Sequence, residues 1–265
     1  MYLMDIYLLY FLTGSLGGFL GGLLGLGGGI IFVPCLFFIF TFFEINNNYI
    51  MQTAICTSLA CVVVSSIFAT IKHKKNNLVE WNFFKKMLLG LSIGSILGII
   101  FISSISSIYV KLFYGYFLIL IAIYILFAKE QKSSIEKKEL KLVKVYSLLV
   151  GFFSSILGIG GGTLTIPYYR FHGLSTKLSI GTSSVCAVPI SILAVITTSI
   201  IYYYLNLKNI YIENFIHIES FIIVAVSSTI FSYYGASLTH YINTNFLKSL
   251  LSIVMLVVSF SILSS

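Results

Sequence analysis

The chain has 265 residues, 58% of them hydrophobic and 9% charged, with a mean hydropathy of +1.02. Soluble domains carry roughly 25% charged residues, so the composition excludes a soluble enzyme or binding module and indicates a multi-pass protein of a cell membrane. The net charge of +8 would suggest nucleic acid in a soluble protein, but the lysines and the one arginine lie almost wholly between apolar runs, where they orient a chain in the bilayer.

From Tyr7 to Phe43 no charged residue occurs. A straight helix of that length would be about 55 Å long, against a hydrocarbon core of about 30 Å. The run is therefore predicted to break at Gly27, Gly28 and Gly29, where missing Cβ atoms remove the helical preference. Spanning helices are predicted next over Tyr49–Ile71, Phe83–Ser103 and Tyr109–Ala128. The stretch Lys129–Lys144, with six lysines and three glutamates, reads as a solvated connector on the cytoplasmic side.

After the connector the plan repeats. A second broken segment runs over Val145–Phe171, interrupted at Gly160, Gly161 and Gly162, and is followed by predicted spans at Ser175–Leu205, Ile218–Tyr241 and Phe246–Leu263. With an offset of 133, Gly18, Gly25, Gly27, Gly28, Gly29 and Pro34 fall on Gly151, Gly158, Gly160, Gly161, Gly162 and Pro167. Beyond the glycines, Thr57 and Ser58 align with Thr182 and Ser183, Gly98 with Gly235, and Lys111 with Lys248. The expected fold is an all-α polytopic membrane protein forming a single domain over 1–265. Repeat 1 covers about 5–128 and repeat 2 about 145–263. Each half is a glycine-broken helix or re-entrant hairpin plus three spanning helices.

The basic residues bear on how the halves are related. If each broken segment crosses the membrane once, the halves are parallel and the basic residues divide twelve to four; if each turns back, the second half is inverted and they divide fourteen to two. The positive-inside rule favours inversion.

Non-helical backbone at membrane depth survives only where protein buries it or a cavity solvates it. The helices restarting after the two triplets present unbonded N–H groups and positive dipole ends, which bind anions without a charged side chain. Paired broken helices near mid-membrane are a pattern of secondary transporters. Gly27, Gly28, Gly29, Gly160, Gly161 and Gly162 are therefore candidate substrate-binding residues, with Thr57, Ser58, Thr182 and Ser183 as hydroxyl donors. The alternatives are that the glycines only pack helices, as the spacing of Gly14, Gly18 and Gly22 and of Gly94 and Gly98 suggests, and that the hydroxyls bond back to their own helices. Arg170 is a candidate anion guide or a headgroup anchor. Pro34 and Pro167 are read as structural, and Trp81 with Tyr202, Tyr203 and Tyr204 as an interfacial belt.

Cys35, Cys56, Cys61 and Cys186 lie within apolar runs without metal-ligand spacing, so no disulfide framework or metal site is expected. No acid lies in an unambiguous span to form a proton relay or a sodium site. GLGGGI and GIGGGT lack the remaining residues of the dinucleotide and P-loop motifs, so neither a cofactor nor an enzymatic activity is expected.

The doubled GLGGGxxxxP pattern, followed by AICTSLA at Ala54 and SIGTSSV at Ser179, resembles the sulfite exporter TauE/SafE family of membrane transporters over nearly the whole chain. The resemblance implies a secondary transporter for a small sulfur-containing anion such as sulfite, an organosulfonate or thiosulfate. The chain departs from the pattern at Ser154 and Ser155, which stand where the first half has Gly21 and Gly22, and at Ser184 and Phe231. Its expected partners are the small anion and the lipid bilayer, with no nucleic acid and with a homo-oligomer left open. A non-transporting membrane scaffold or assembly factor, or an uncoupled anion channel, are the alternatives.

Overall fold

The computed structural model describes residues 2–45, 49–127, 142–207, 215–239, 241 and 244–264, and all regular structure among them is helical. The helices are α1 (Tyr2–Leu24), α2 (Gly29–Phe42), α3 (Ile50–Lys75), α4 (Trp81–Ser103), α5 (Ser107–Phe127), α6 (Val143–Ile156), α7 (Gly162–Phe171), α8 (Thr176–Leu207), α9 (Ile218–Leu238) and α10 (Thr244–Ser264). Both breaks fall at the glycine triplets, and the other helices begin and end within a few residues of the predicted spans. The connector lies outside the described residues except for its last three positions, 142–144.

Length divides these helices into two kinds. Six stretches among the described residues are long and apolar enough to cross a membrane: Met4–Leu24, Ile50–Lys75, Trp81–Ser103, Ser107–Tyr124, Thr176–Leu205 and Ile218–Leu238. By contrast α2 and α6, with 14 residues each, and α7, with 10, reach only about 21 Å and 15 Å at 1.5 Å per residue. These three fall short of a hydrocarbon core of about 30 Å.

The short helices fold back on their predecessors. A Cβ on Gly17 would strike the Phe32 ring, and one on Gly28 would lie 2.6 Å from the Gly17 carbonyl oxygen, so α2 runs antiparallel beside the end of α1. The second half does the same: the Tyr146 hydroxyl donates to the Leu164 carbonyl at 2.7 Å, and the Tyr146 and Tyr168 rings stack with centroids 4.0 Å apart. Each glycine-broken segment is thus a helical hairpin.

Packing between the halves is reciprocal. Helix α1 lies against α9, and its counterpart α6 lies against α4, the counterpart of α9; α3 pairs with α8 and α5 with α10. The α1–α9 seam is made by Gly14, Gly18 and Gly22, whose missing Cβ atoms admit Val224, Ser227, Ser228 and Ser232; on α4, Gly90, Gly94 and Gly98 admit Ser147, Leu148, Phe152 and Ser155. Small residues let membrane helices approach closely where apolar solvent supplies no hydrophobic drive. The glycine spacings read as packing signals in the sequence do lie in these seams.

The bundle is apolar outside and partly polar inside. Leu16, Leu89, Leu120, Val226 and Phe260 are exposed, while Ser147, Ser155, Ser227, Ser228 and Ser232 are buried. These buried hydroxyls donate to carbonyls three or four residues earlier, which satisfies them within their own helices.

The tight seams generate a prediction. On Gly18 a Cβ would lie 2.6 Å from Ser228 Cα, and on Gly94, in the other seam, it would strike the Leu148 carbonyl, so Gly18→Leu and Gly94→Leu are each expected to destabilise the fold by about 1–3 kcal/mol or more. Thermal unfolding in detergent should show lower Tm values for both, while the outward Ile100→Leu keeps the wild-type value.

Candidate functional site

Each hairpin turn is fixed by backbone geometry before any side chain contributes. The Leu26 N–H donates to Gly21 O at 3.0 Å, and the equivalent Ile159 N–H to Ser154 O at 2.9 Å, closing the two turns alike. The helices then restart from Gly28 and Gly161, whose φ angles of 89° and 84° lie in the left-handed region. Only glycine takes that conformation at little cost, which explains the middle glycine of each triplet. The last glycine serves a different need. A Cβ on Gly29 would strike the Gly158 carbonyl, and one on Gly162 would lie 2.5 Å from the Gly25 carbonyl oxygen.

The two turns therefore cross in contact. The Gly160 N–H donates to Leu26 O at 3.2 Å, joining the two turns directly. Ser58 Oγ of the first half donates to Gly158 O of the second at 2.9 Å; Ser183 Oγ of the second half donates to Gly25 O of the first, also at 2.9 Å. Ser65 Oγ donates to Gly27 O at 2.6 Å, and Thr165 Oγ1 lies 2.9 Å from Ser183 Oγ and 3.0 Å from Gly161 O. Gly27 packs on Val62 and Gly160 on Ala187, near the middles of α3 and α8.

This arrangement brings together Gly27, Gly28, Gly29, Gly160, Gly161, Gly162, Ser58 and Ser183. It separates Thr57 and Thr182 from them. Thr57 Oγ1 accepts the His217 N–H at 3.0 Å, and Thr182 Oγ1 accepts the Glu80 N–H at 2.9 Å while donating to Leu178 O. These threonines fasten the starts of α9 and α4. His217 caps α9 through Nδ1, which accepts the Ser220 N–H, and burial pushes the His217 pKa down, which favours the neutral ring that such a cap requires. Arg170 lies in the last turn of α7, about 12 Å along the helix from its start.

Pro34 and Pro167 each occupy the sixth position of their short helix. Without an N–H they withdraw the helical donor from the Ile30 and Thr163 carbonyls. Beside the start of α2, a crevice lined by Leu20, Gly21, Leu24, Leu26, Gly28, Ile30, Ile31 and Val254 holds about 10 Å³, about the space of one water. Among the described residues, those touching the crossing are glycines, serines, a threonine and apolar side chains; what it offers a ligand is helix-start N–H groups, hydroxyls and a positive dipole end from each half. Ser65 and Thr165 were not singled out in the sequence, although each is a polar residue within an apolar run.

The crossing predicts two kinds of defect. Ser58→Ala and Ser183→Ala each leave a buried carbonyl without its donor, at a cost of about 1–3 kcal/mol. Gly161→Ala forces a side chain into the left-handed region, at roughly 1–2 kcal/mol. All three variants should lower Tm in detergent, and the two serine variants should do so by similar amounts because their bonds are equivalent.

Comparison with known proteins agrees with this architecture. The sequence profile described as "Sulfite exporter TauE/SafE" matches residues 10–262. A "probable membrane transporter protein" of Haemophilus influenzae is 26% identical over 253 residues, covering 95% of this chain and 96% of that protein. One from Methanocaldococcus jannaschii is 31% identical over 179 residues, 66% of each chain, and one from Bacillus subtilis is 26% identical over 198 residues, 67% of this chain and 72% of that one. No solved structure matches the chain. A profile spanning nearly the whole sequence, on a multi-pass helical bundle, places this chain in the sulfite exporter TauE/SafE family of membrane transporters.

Proposed function

We propose that the protein is a secondary transporter, without enzymatic activity, for a small sulfur-containing oxyanion such as sulfite, an organosulfonate or thiosulfate. The binding region is the crossing of the two hairpins. The observation that carries this reading is the meeting of the two turns beside the starts of α2 and α7, where Gly160 N–H of the second triplet donates to the carbonyl of Leu26, the residue before the first triplet. Opening the crossing frees backbone donors from both halves for one anion. The Ser58 and Ser183 hydroxyls, which hold the opposite turn in the closed arrangement, then become further donors. Arg170, at the far end of α7, draws the anion towards the hairpin.

The halves are inserted as inverted repeats. Support comes from the helix starts: the start of α4 bonds to Thr182, early in α8, and the start of α9 bonds to Thr57, early in α3. Each pair must therefore begin on one side of the membrane. Inverted halves satisfy this, whereas parallel halves would set α4 and α8 starting from opposite sides. The hairpin shape of both broken segments and the fourteen-to-two division of basic residues support the same arrangement.

Proteoliposomes loaded with labelled sulfite, thiosulfate or an organosulfonate test the reading. Flux of at least one of these, raised against its gradient by a second ion, is the expected result, and Gly28→Leu and Gly161→Leu should abolish it. Folded wild-type protein that passes none of the three anions would instead indicate a scaffold, and flux that never exceeds equilibrium would indicate a channel.

A further inference from the structure

The two hairpins share a backbone but not a chemistry. The crevice beside the start of α2 is apolar, lined among others by Leu20, Gly21, Ile30 and Ile31. At an offset of 133 the same positions in the second hairpin are Phe153, Ser154, Thr163 and Leu164. Hydroxyls thus enter at two places, where the first hairpin has Gly21 and Ile30.

Ser154 is the telling one. It is 1% exposed, and among the described residues its Oγ has no hydrogen-bond partner. Ser147 and Ser155 of the same helix donate to Lys144 O and Phe152 O. Ser154 leaves its helix and faces the next one: its Oγ lies 3.3 Å from the point where a Cβ on Gly161 would stand. Gly161 is the N-cap of α7, a helix of 10 residues. A buried hydroxyl left unbonded costs stability, and this one stands over a helix start where the Leu164 and Thr165 N–H groups make the first bonds, to Gly161 O, and the Gly162 and Thr163 N–H groups precede them at the positive dipole end. Thr163, 4% exposed, lies in the first turn of that helix. A donor kept unspent beside helix-start N–H groups suits an anion that supplies several acceptor oxygens.

We infer that Ser154 Oγ and the N–H groups at the start of α7 form the discriminating oxyanion half-site of the transporter. The first hairpin, with Gly21 in the equivalent place, supplies backbone donors and an apolar wall. This assignment rests on the anion-transport reading and names which half recognises the oxyanion and through which side chain.

The test uses the full-length protein with sulfite and thiosulfate as probes, measuring flux in proteoliposomes and anion-dependent thermal shift in detergent. Ser154→Ala should raise KM about tenfold or more, as loss of a hydrogen bond to a charged group implies, with little change in maximal rate. Its anion-free Tm should equal or exceed that of the wild type, because the hydroxyl has no partner to lose. Ser154→Gly, which restores the residue of the first hairpin, should raise KM likewise, whereas Ser155→Ala should leave it unchanged. Wild-type KM and thermal shift in both Ser154 variants would overturn the half-site while leaving transport intact. Variants that fail to fold would assign the hydroxyl a structural role and overturn it equally. Wild-type protein showing neither flux nor thermal shift would reject the transport reading beneath it.

Discussion

The fold depends on a reciprocal exchange of hydrogen bonds at the hairpin crossing. Ser58 of the first half holds the Gly158 carbonyl of the second, and Ser183 of the second holds the Gly25 carbonyl of the first. A turn at this depth has backbone groups that its own helix cannot satisfy, and lipid offers no alternative. Each half therefore completes the other. The glycine seams along α1 and α4, the proximity of α3 and α8, and the fastening of α4 and α9 by threonines follow as the packing that brings these carbonyls within reach.

The proposed anion site is governed by the same constraint. Among the described residues no lysine or arginine touches the crossing, and a buried charge there would need a partner or carry a large desolvation cost. In the proposed site, helix starts and hydroxyls supply weaker, neutral donors, suited to a ligand that must leave as well as bind. Duplication yields two such starts, and divergence then sets them apart: Gly21 and Ile30 keep one side apolar, Ser154 and Thr163 make the other polar.

Much of this was legible in the sequence. Hydropathy and the length limit of the bilayer locate the breaks and the spans, because a run from Tyr7 to Phe43 cannot be one straight helix. The recurrence of GLGGGxxxxP exposes the repeat, and its glycines prove to serve two separate needs, a left-handed φ at Gly28 and Gly161 and backbone contact at Gly29 and Gly162. Less legible was the use of the hydroxyls. Thr57 and Ser58 are adjacent and recur together, yet one fastens a helix start and the other a turn. Residue type shows that a donor is present, but its destination is set by a neighbour a hundred or more positions away. Ser154 was visible as a departure from the repeat, and only its unspent hydroxyl separates it from Ser155 beside it.

The exchanged turns also bear on how the protein is made. Gly25 awaits a donor 158 residues further along the chain, so the first hairpin enters the membrane with a carbonyl that nothing yet synthesised can match. Contacts of such sequence separation form slowly, and water or the insertion machinery must satisfy the turn in the interval. The turn of the first hairpin is thus completed only when α8, which carries Ser183, has been inserted.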